Sequence, residues 1–126
     1  MNSPTTRTIA KMKDEGYIIG VVERFIKAGR FGIRKDLFGF IDLIGCKPSQ
    51  VGAVGIQTTS GSNFSSHIHK ILDNDEVLQN ARTWVKAGNR ILLHGWSKKG
   101  PRGKRKLWTC REQELTLETL HTGEKK

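Results

Sequence analysis

The sequence predicts an α/β protein in which a mixed β-sheet of about five strands is flanked by helices. The chain has 126 residues, which suits one hydrophobic core rather than two. Runs rich in β-branched and aromatic residues are interrupted by stretches with a hydrophobic period of 3.6 residues. Hydrophobic residues make up 36% and charged residues 27%, as in globular proteins. We assign 1–120 to a single domain and expect 121–126 to be a frayed tail.

The first predicted element is a helix over 4–15. Ser3 suits the N-cap, and Pro4 suits the first helical position, where its missing N–H costs nothing. Gly16 provides the C-terminal stop.

Three strands are expected next. The hydrophobic run 17–26 predicts a strand buried on both faces. The glycine-bearing basic segment 27–35 predicts a loop. Strands are then expected over 37–45 and 51–60, and the turn at 47–50 between them makes an antiparallel hairpin.

The second half predicts two helices and two strands, which gives the order α-β-β-β-α-α-β-β. Ser62 or Asn63 caps the first helix, and Asp73 opens the second, with Glu76 at capping-box spacing. The apolar stripes of the two helices contain Phe64, Ile68, Ile71 and Leu72, then Val77, Leu78, Ala81, Trp84 and Val85. The last strands are expected over 89–96 and from 107 to between 111 and 117.

The net charge of +10 is the first indication of function. Because no lysine-rich tail carries it, the excess positive charge belongs to the folded body and favours nucleic acid as the partner. Acidic lipid and ribosomal RNA would meet the same condition. The charge therefore selects a class of partner rather than an activity.

The chain is expected to reside in the cytoplasm of a bacterial, archaeal or phage-infected cell. No apolar run approaches the ~20 residues that span a bilayer, and MNSPTTRT lacks the apolar region of a secretory signal. Cys46 and Cys110 lack metal-site spacing and are expected to be small buried thiols without a disulfide.

Asp42 is the most informative residue for chemistry, because an unpaired carboxylate inside an apolar strand is costly to bury. A metal, a cationic partner or catalysis would explain it. The alternative is a solvated strand end or a pair with Arg34. Gln57 follows across the predicted hairpin, so Asp42, Gln57 and the Thr58 backbone carbonyl are the expected ligands of one Mg²⁺ ion.

The run DLFGFID from Asp36 to Asp42, followed by Gln57-Thr58-Thr59-Ser60, resembles the core of the PD-(D/E)XK nucleases. The element order over about 5–112 is similar to that of archaeal Holliday-junction resolvases and of small phage and prophage nuclease-like proteins. The resemblance implies a restriction-endonuclease-like fold and a DNA endonuclease dependent on Mg²⁺ or Mn²⁺. It also implies a homodimer and branched DNA as substrate.

Within this resemblance, Asp42 matches the second-strand aspartate, Gln57 the acidic position of the triplet, and Thr59 its lysine position. Gln57 lacks the charge and Thr59 the ammonium group of the motif. Lys70 on the following helix is the candidate replacement, although a solvated surface lysine explains it equally well. Glu23 completes the expected catalytic set, and Asp36 can enlarge it; the alternative for both is an ordinary strand-end charge.

The expected DNA-contacting residues lie mainly in the loop between the last two strands, where a basic hairpin can bind phosphates without reading sequence. The alternative is a solvated turn. Arg30, Arg34 and Lys35 are expected to extend this surface, His67 and His69 are weaker phosphate-contact candidates, and the three tryptophans are expected in the core or an interface. The six basic residues of the loop are Lys98, Lys99, Arg102, Lys104, Arg105 and Lys106.

Three functions follow from these expectations. The first is a metal-dependent DNA endonuclease without a membrane partner or a small-molecule cofactor. The second is a catalytically inactive DNA-binding protein of the same fold, favoured by Gln57 and Thr59. The third is a basic RNA-binding protein.

Overall fold

The computed structural model describes residues 3–121, in which five strands form one mixed sheet and two form a separate hairpin. The elements are α1 (Pro4–Asp14), β1 (Ile18–Val21), β2 (Arg24–Ala28), β3 (Phe31–Lys35), β4 (Leu43–Cys46), β5 (Val54–Ser60), a 3₁₀ turn (Gly61–Asn63), α2 (Phe64–Leu72), α3 (Asp75–Lys86), β6 (Arg90–Lys99), β7 (Leu107–Leu115) and α4 (Leu117–His121).

The main sheet has the order β1-β4-β5-β6-β7, and β5 pairs with β6 in parallel while the other neighbours are antiparallel. The predicted α/β class with a mixed five-stranded sheet is thus confirmed, as is the antiparallel pairing of the strands on either side of the 47–50 turn. The parallel pair requires a crossover, which α2 and α3 supply.

Helices cover both faces of the sheet. On one face, α1 packs over a buried cluster formed by Met12, Tyr17, Leu43, Val54, Ile56 and Leu92. The other face carries α2, α3 and α4 over Phe40, Ile41, Ile71, Leu78, Ala81, Ile91, Leu115 and Leu120. Alternate residues of β5 and β6 face opposite layers because side chains alternate along a strand.

Helix capping follows the sequence at α1 but not at α3. The Ser3 hydroxyl accepts a hydrogen bond from the Thr6 amide, as expected of an N-cap. The predicted capping box starting at Asp73 is wrong: α3 begins at Asp75, and the Asn74 side chain accepts from the Val77 amide. An amide oxygen one residue later thus takes the capping role.

The predicted strand over 17–26 is wrong in extent and in burial. It divides into β1 and β2, which belong to different sheets. Ile18 and Val21 are 74% and 56% exposed. Because β1 lies at the sheet edge, its hydrophobic residues are not covered on both faces.

Three further segments differ from the prediction. Segment 27–35, expected to be a loop, forms most of the β2–β3 hairpin. The strand expected over 37–45 begins only at Leu43, because 37–41 forms a tight turn closed by a bridge between Leu37 and Ile41. The strand expected over 51–60 likewise begins at Val54.

A buried polar network fastens α1 to the main sheet. His94 is fully buried on β6; its Nδ1 lies 3.0 Å from Thr8 Oγ1 and its Nε2 lies 2.7 Å from Glu112 Oε2. The Trp96 indole N–H also donates to the Thr8 hydroxyl. Thr8 therefore donates to His94 Nδ1, and the neutral imidazole donates from Nε2 to Glu112.

The C-terminal part contains an element that the sequence pattern did not indicate. Helix α4 includes His121, which was assigned to the frayed tail; the remainder of that tail lies outside the described residues. Cys46 is exposed and Cys110 half-buried, so the expectation of two buried thiols is wrong for Cys46, which is the last residue of β4. Within residues 3–121, no helix has the length and apolar character needed to cross a membrane.

Candidate functional site

A tight turn brings Asp36 and Asp42 together. Leu37 and Ile41 exchange both backbone hydrogen bonds, at 2.9 and 3.0 Å. Asp36 and Asp42 are the next residues outward on the two sides of this pair, so their side chains meet across the turn. The turn requires a positive φ at Phe38 (58°) and at Gly39 (87°).

Glu23 joins these two aspartates through the backbone of Asp42. The Asp42 carbonyl accepts hydrogen bonds from the amides of Val22 (2.9 Å) and Glu23 (3.2 Å), which anchors the chain where β1 ends. Carboxylate oxygens of Glu23, Asp36 and Asp42 all lie within 4.8 Å of one another. We call these three residues the acidic cluster.

The Asp42 carboxylate accepts a backbone hydrogen bond from β5 at the point where the β4–β5 ladder ends. Because β4 begins at Leu43, the amide of Thr58 on β5 extends beyond the antiparallel ladder and donates to Asp42 Oδ2 at 2.9 Å. Asp42 is only 7% exposed. Neither a solvated strand end nor a pair with Arg34 describes it: Arg34 Nη1 instead lies 3.9 Å from Glu23 Oε1.

Gln57 presents its amide to the acidic cluster from β5. Its Nε2 donates to Asp36 Oδ2 at 3.0 Å. The residue is 1% exposed, and its Oε1 is a buried acceptor that has no hydrogen-bond partner among residues 3–121. A buried amide oxygen without a donor is unfavourable by about 1–3 kcal/mol, so this atom is suited to an electropositive ligand.

Lys70 approaches the acidic cluster from α2. Its Nζ lies 3.3 Å from Asp36 Oδ2, while its side chain remains 51% exposed. The ammonium group therefore borders the acidic cluster and also faces solvent, so the interpretation of Lys70 as a merely solvated surface lysine does not describe its geometry.

The two aspartates differ in proton affinity. Burial and the hydrogen bond with Asp36 raise the pKa of Asp42 to about 8, against a partial offset from the Thr58 amide. Burial would also raise the pKa of Asp36, but the hydrogen bond from Asp42, together with Lys70 and Gln57, lowers it below its ordinary value. The raised pKa of Asp42 and the lowered pKa of Asp36 therefore favour one proton on the pair at neutral pH.

A cleft of about 790 Å³ opens beside the acidic cluster. Asp36 and Lys70 line it together with three basic residues of the β2–β3 hairpin, Arg24, Arg34 and Lys35. The rest of the lining includes the 37–39 turn and Glu76, Val77 and Asn80 of α3. The cleft thus combines four cations with the carboxylates of Asp36 and Glu76.

The structure brings together Asp42, Gln57, Lys70 and Glu23, the four predicted catalytic residues. They meet around Asp36, which the sequence suggested only as an addition. Asp42 and Gln57 do not point into opposite layers, since both contact Asp36.

Thr58 supplies a backbone amide to the site; the predicted role of its carbonyl as a metal ligand stays a prediction. Thr59 is buried, at 6% exposure, and supplies no cation.

The predicted DNA-contacting residues occupy two separate places. Arg34 and Lys35 border the cleft, whereas residues of the 98–106 segment do not line it. That segment continues past the carboxyl end of β5, since Lys98 and Lys99 pair with β7 beyond the β5–β6 ladder. Its role in binding stays a prediction.

The two histidines of α2 differ. His67 is partly buried, its Nδ1 is an enclosed atom without a hydrogen-bond partner, and burial together with the charge of Lys70 lowers its pKa. His69 is exposed and lies 3.5 Å from Asp73. Only His67 is electrostatically linked to the acidic cluster.

The sequence interpretation undervalued Asp36 and Arg24. Arg24 lay inside the strand expected over 17–26, and Asp36 lay between two predicted segments. The paired turn that places Asp36 opposite Asp42 left only one signal in the sequence, the glycine at position 39. No protein-family model, no curated protein and no solved structure matches the chain.

Proposed function

We propose that the protein is a metal-dependent endonuclease that hydrolyses phosphodiester bonds in DNA. The observation that carries this proposal is the convergence of three carboxylates, the Gln57 amide and Lys70 on Asp36, which lines a cleft together with four basic residues. Mg²⁺ is the proposed cofactor, and Mn²⁺ is its substitute.

The residues of the acidic cluster fit a divalent cation in chemistry and in charge. Hard cations prefer oxygen ligands, and the acidic cluster offers three carboxylates beside Gln57 Oε1. The nearby positive charges of Lys70 and Arg34 do not balance three carboxylates, so the acidic cluster retains a proton on Asp42. A divalent cation would replace that proton and allow both aspartates to ionise.

In the proposed mechanism, Asp42, Asp36 and Glu23 would hold the cation, and a bound cation would supply Lewis-acid chemistry to the phosphate and to an attacking water. Gln57 holds Asp36 in place through its N–H. Lys70, which borders both the acidic cluster and solvent, stabilises the negative charge that develops on the phosphate. Lys70 thus supplies from a helix the ammonium group that Thr59 lacks.

DNA is the proposed substrate because the net charge is +10 and cations surround the acidic cleft. A preference for branched DNA and a homodimeric state rest on the resemblance to resolvases, and both stay predictions.

The test compares the wild type with Asp42→Ala on junction, flap and duplex DNA in Mg²⁺ and in Mn²⁺. Cleavage by the wild type alone is expected. A separate calorimetric titration with Mn²⁺ in the absence of DNA should give heat of binding only with the wild type. Equal cutting by the two proteins would refute the assignment of the site.

A second candidate function is DNA binding without cleavage. The observation in its favour is that a neutral glutamine stands at the position where the resembling nucleases carry an acid, and its Nε2 donates to Asp36. This function predicts salt-dependent DNA binding by the wild type, with no heat of Mn²⁺ binding and no cleavage in any metal.

A further inference from the structure

The hairpin formed by β2 and β3 stands apart from the main sheet. Its strands pair with each other over five positions, from Arg24 opposite Lys35 to Ala28 opposite Phe31, and with no strand of the five-stranded sheet in the described residues. Five residues of strand span about 17 Å. We call residues 24–35 the β2–β3 arm.

The surface of the arm is both basic and apolar. Segment 24–35 contains five basic residues and no acidic residue. Four large hydrophobic side chains of the arm are nevertheless exposed: Phe25 (65%), Ile26 (38%), Phe31 (72%) and Ile33 (54%). An exposed ribbon with this composition needs a partner that is negatively charged and also offers apolar contacts.

The arm starts and ends at the acidic cluster. Glu23 directly precedes it and Asp36 directly follows it. At its base, Arg24, Arg34 and Lys35 line the cleft. A polymer that places a phosphate at the acidic cluster therefore passes along the arm.

We propose that the β2–β3 arm inserts into the major groove of duplex DNA next to the phosphodiester bound at the acidic cluster. The proposal rests on the proposed function, because the acidic cluster sets the position of the DNA. The major groove, about 12 Å wide, admits a two-stranded ribbon, whereas the minor groove is about 6 Å wide.

The two faces of the arm suit different parts of the groove. Ile26 and Ile33 are directly paired and therefore share one face. Their exposed side chains can contact thymine methyl groups, which project into the major groove. The opposite face carries Phe25, whose ring covers Gly32, next to Arg34. Cations along both edges then meet the phosphates that border the groove.

A second copy of this chain does not fit the arm as well as DNA does. Another copy also carries a charge of +10, and contact between two arms would bring ten cations together. DNA supplies alternating negative charge and apolar base edges along its length, which match the composition of the arm.

The first test measures affinity for a duplex of about 20 base pairs in a chelating buffer, over a range of salt concentrations. Lys27→Ala/Arg30→Ala removes two arm cations, and Lys13→Ala/Lys86→Ala removes two exposed cations from α1 and α3 as the control. The arm variant should bind about tenfold more weakly, with a log–log salt slope reduced by about two. Equal affinity of the arm variant and the control would overturn the proposal.

The second test identifies the groove. Methylation of guanine N7 blocks the major groove, and netropsin occupies the minor groove. Wild-type binding should fall on methylation and persist with netropsin, and Phe31→Ser/Ile33→Thr should lose the sensitivity to methylation. Inhibition by netropsin alone would overturn the groove assignment, and stronger binding to duplex RNA would overturn the choice of DNA.

The tests separate this inference from the proposed function. Lys27→Ala/Arg30→Ala should retain the wild-type heat of Mn²⁺ binding, because neither residue belongs to the acidic cluster. Arm-dependent DNA binding without cleavage in any metal would contradict the nuclease activity and support the arm. Metal-dependent cleavage that is unchanged in both arm variants would support the nuclease and contradict the arm.

Discussion

Carboxylate oxygens of Asp36 and Asp42 lie within 4.8 Å of each other, and the raised pKa of Asp42 beside the lowered pKa of Asp36 favours a proton on Asp42 at neutral pH. The bridge between Leu37 and Ile41 enforces this contact, since it fixes the backbone on both sides. The proton reduces the repulsion between two buried acids, and a divalent cation would do the same more effectively.

Asp42→Asn should stabilise the protein in a chelating buffer. The pKa of about 8 lies above the ordinary 3.8, so the contribution of the protonated carboxyl is fully present below pH 3.8 and is lost as pH rises through about 8. An amide stays neutral throughout. In urea unfolding, we expect the free energy of unfolding of the variant to exceed that of the wild type by about 1–2 kcal/mol at pH 8. The difference should shrink towards pH 5.

Asp42→Asn should also lose the stabilisation that Mn²⁺ gives the wild type. The variant is therefore expected to be more stable than the wild type in chelator and less stable in Mn²⁺. Asp73→Asn, at an exposed carboxylate on the α2–α3 connection, is the control and should behave like the wild type in metal. An Asp42→Asn protein that gains as much from Mn²⁺ as the wild type would exclude Asp42 as a ligand.

Gln57→Glu should destabilise the protein without metal and strengthen the binding of Mn²⁺. The substitution replaces the N–H that donates to Asp36 with a fourth carboxylate, at a buried position. We expect a loss of about 1–3 kcal/mol in chelator, recovered on adding Mn²⁺. Gln57→Met, which removes both polar atoms, is the comparison and should recover nothing from metal.

Lys70→Gln should reduce the rate of cleavage by 100-fold or more, with a change in stability below about 1 kcal/mol. The ion pair with Asp36 is half-exposed and contributes little to folding, whereas a charge beside the reacting phosphate acts in the transition state. Single-turnover cleavage and thermal unfolding measure the two effects. Lys86→Gln, at the end of α3, is the control, and equal rates for both variants would remove Lys70 from the mechanism.

Gly39→Ala should weaken metal binding as well as stability. The added methyl group would lie 2.7 Å from Val77 Cγ2 at a φ of 87°, so the turn that pairs Asp36 with Asp42 must shift. Gly103→Ala is a matched control, because its φ of 79° is similar and its surroundings are open. We expect Gly39→Ala to lose about 1–3 kcal/mol more free energy of unfolding than Gly103→Ala. Only Gly39→Ala should also bind Mn²⁺ more weakly.

Lowering the pH should weaken the attachment of α1 to the sheet. Burial lowers the pKa of His94 below 6.5, despite the opposing hydrogen bond to Glu112. The stability contribution of neutral His94 is therefore fully present above pH 6.5 and is lost as pH falls towards the folded-state value. His94→Asn should be less stable than the wild type at pH 7.5, and the difference should narrow at pH 5 in urea unfolding.

The hydrophobic periodicity of the sequence predicted most of the main sheet and its crossover helices, because each of these segments buries a continuous apolar face. It failed around 17–45, where the hydrophobic residues of β1, β2 and β3 remain exposed. Hydrophobicity alone does not distinguish a buried strand from a protruding ribbon that is suited to another molecule.

The sequence predicted most residues of the candidate site, but not the central position of Asp36. Asp42 was recognised because a charge interrupts an apolar run. Asp36 lies in a polar context, and its role depends on the register of a five-residue turn that composition does not reveal. Lys70 was recoverable only through its position on the helix after β5.

The separation of the β2–β3 arm from both hydrophobic clusters has a consequence for engineering. Because residues 24–35 leave and rejoin the chain beside Asp42, a different ribbon grafted between Glu23 and Asp36 would inherit the acidic cluster without disturbing the folding unit. The protein is in this respect a scaffold with an exchangeable hairpin.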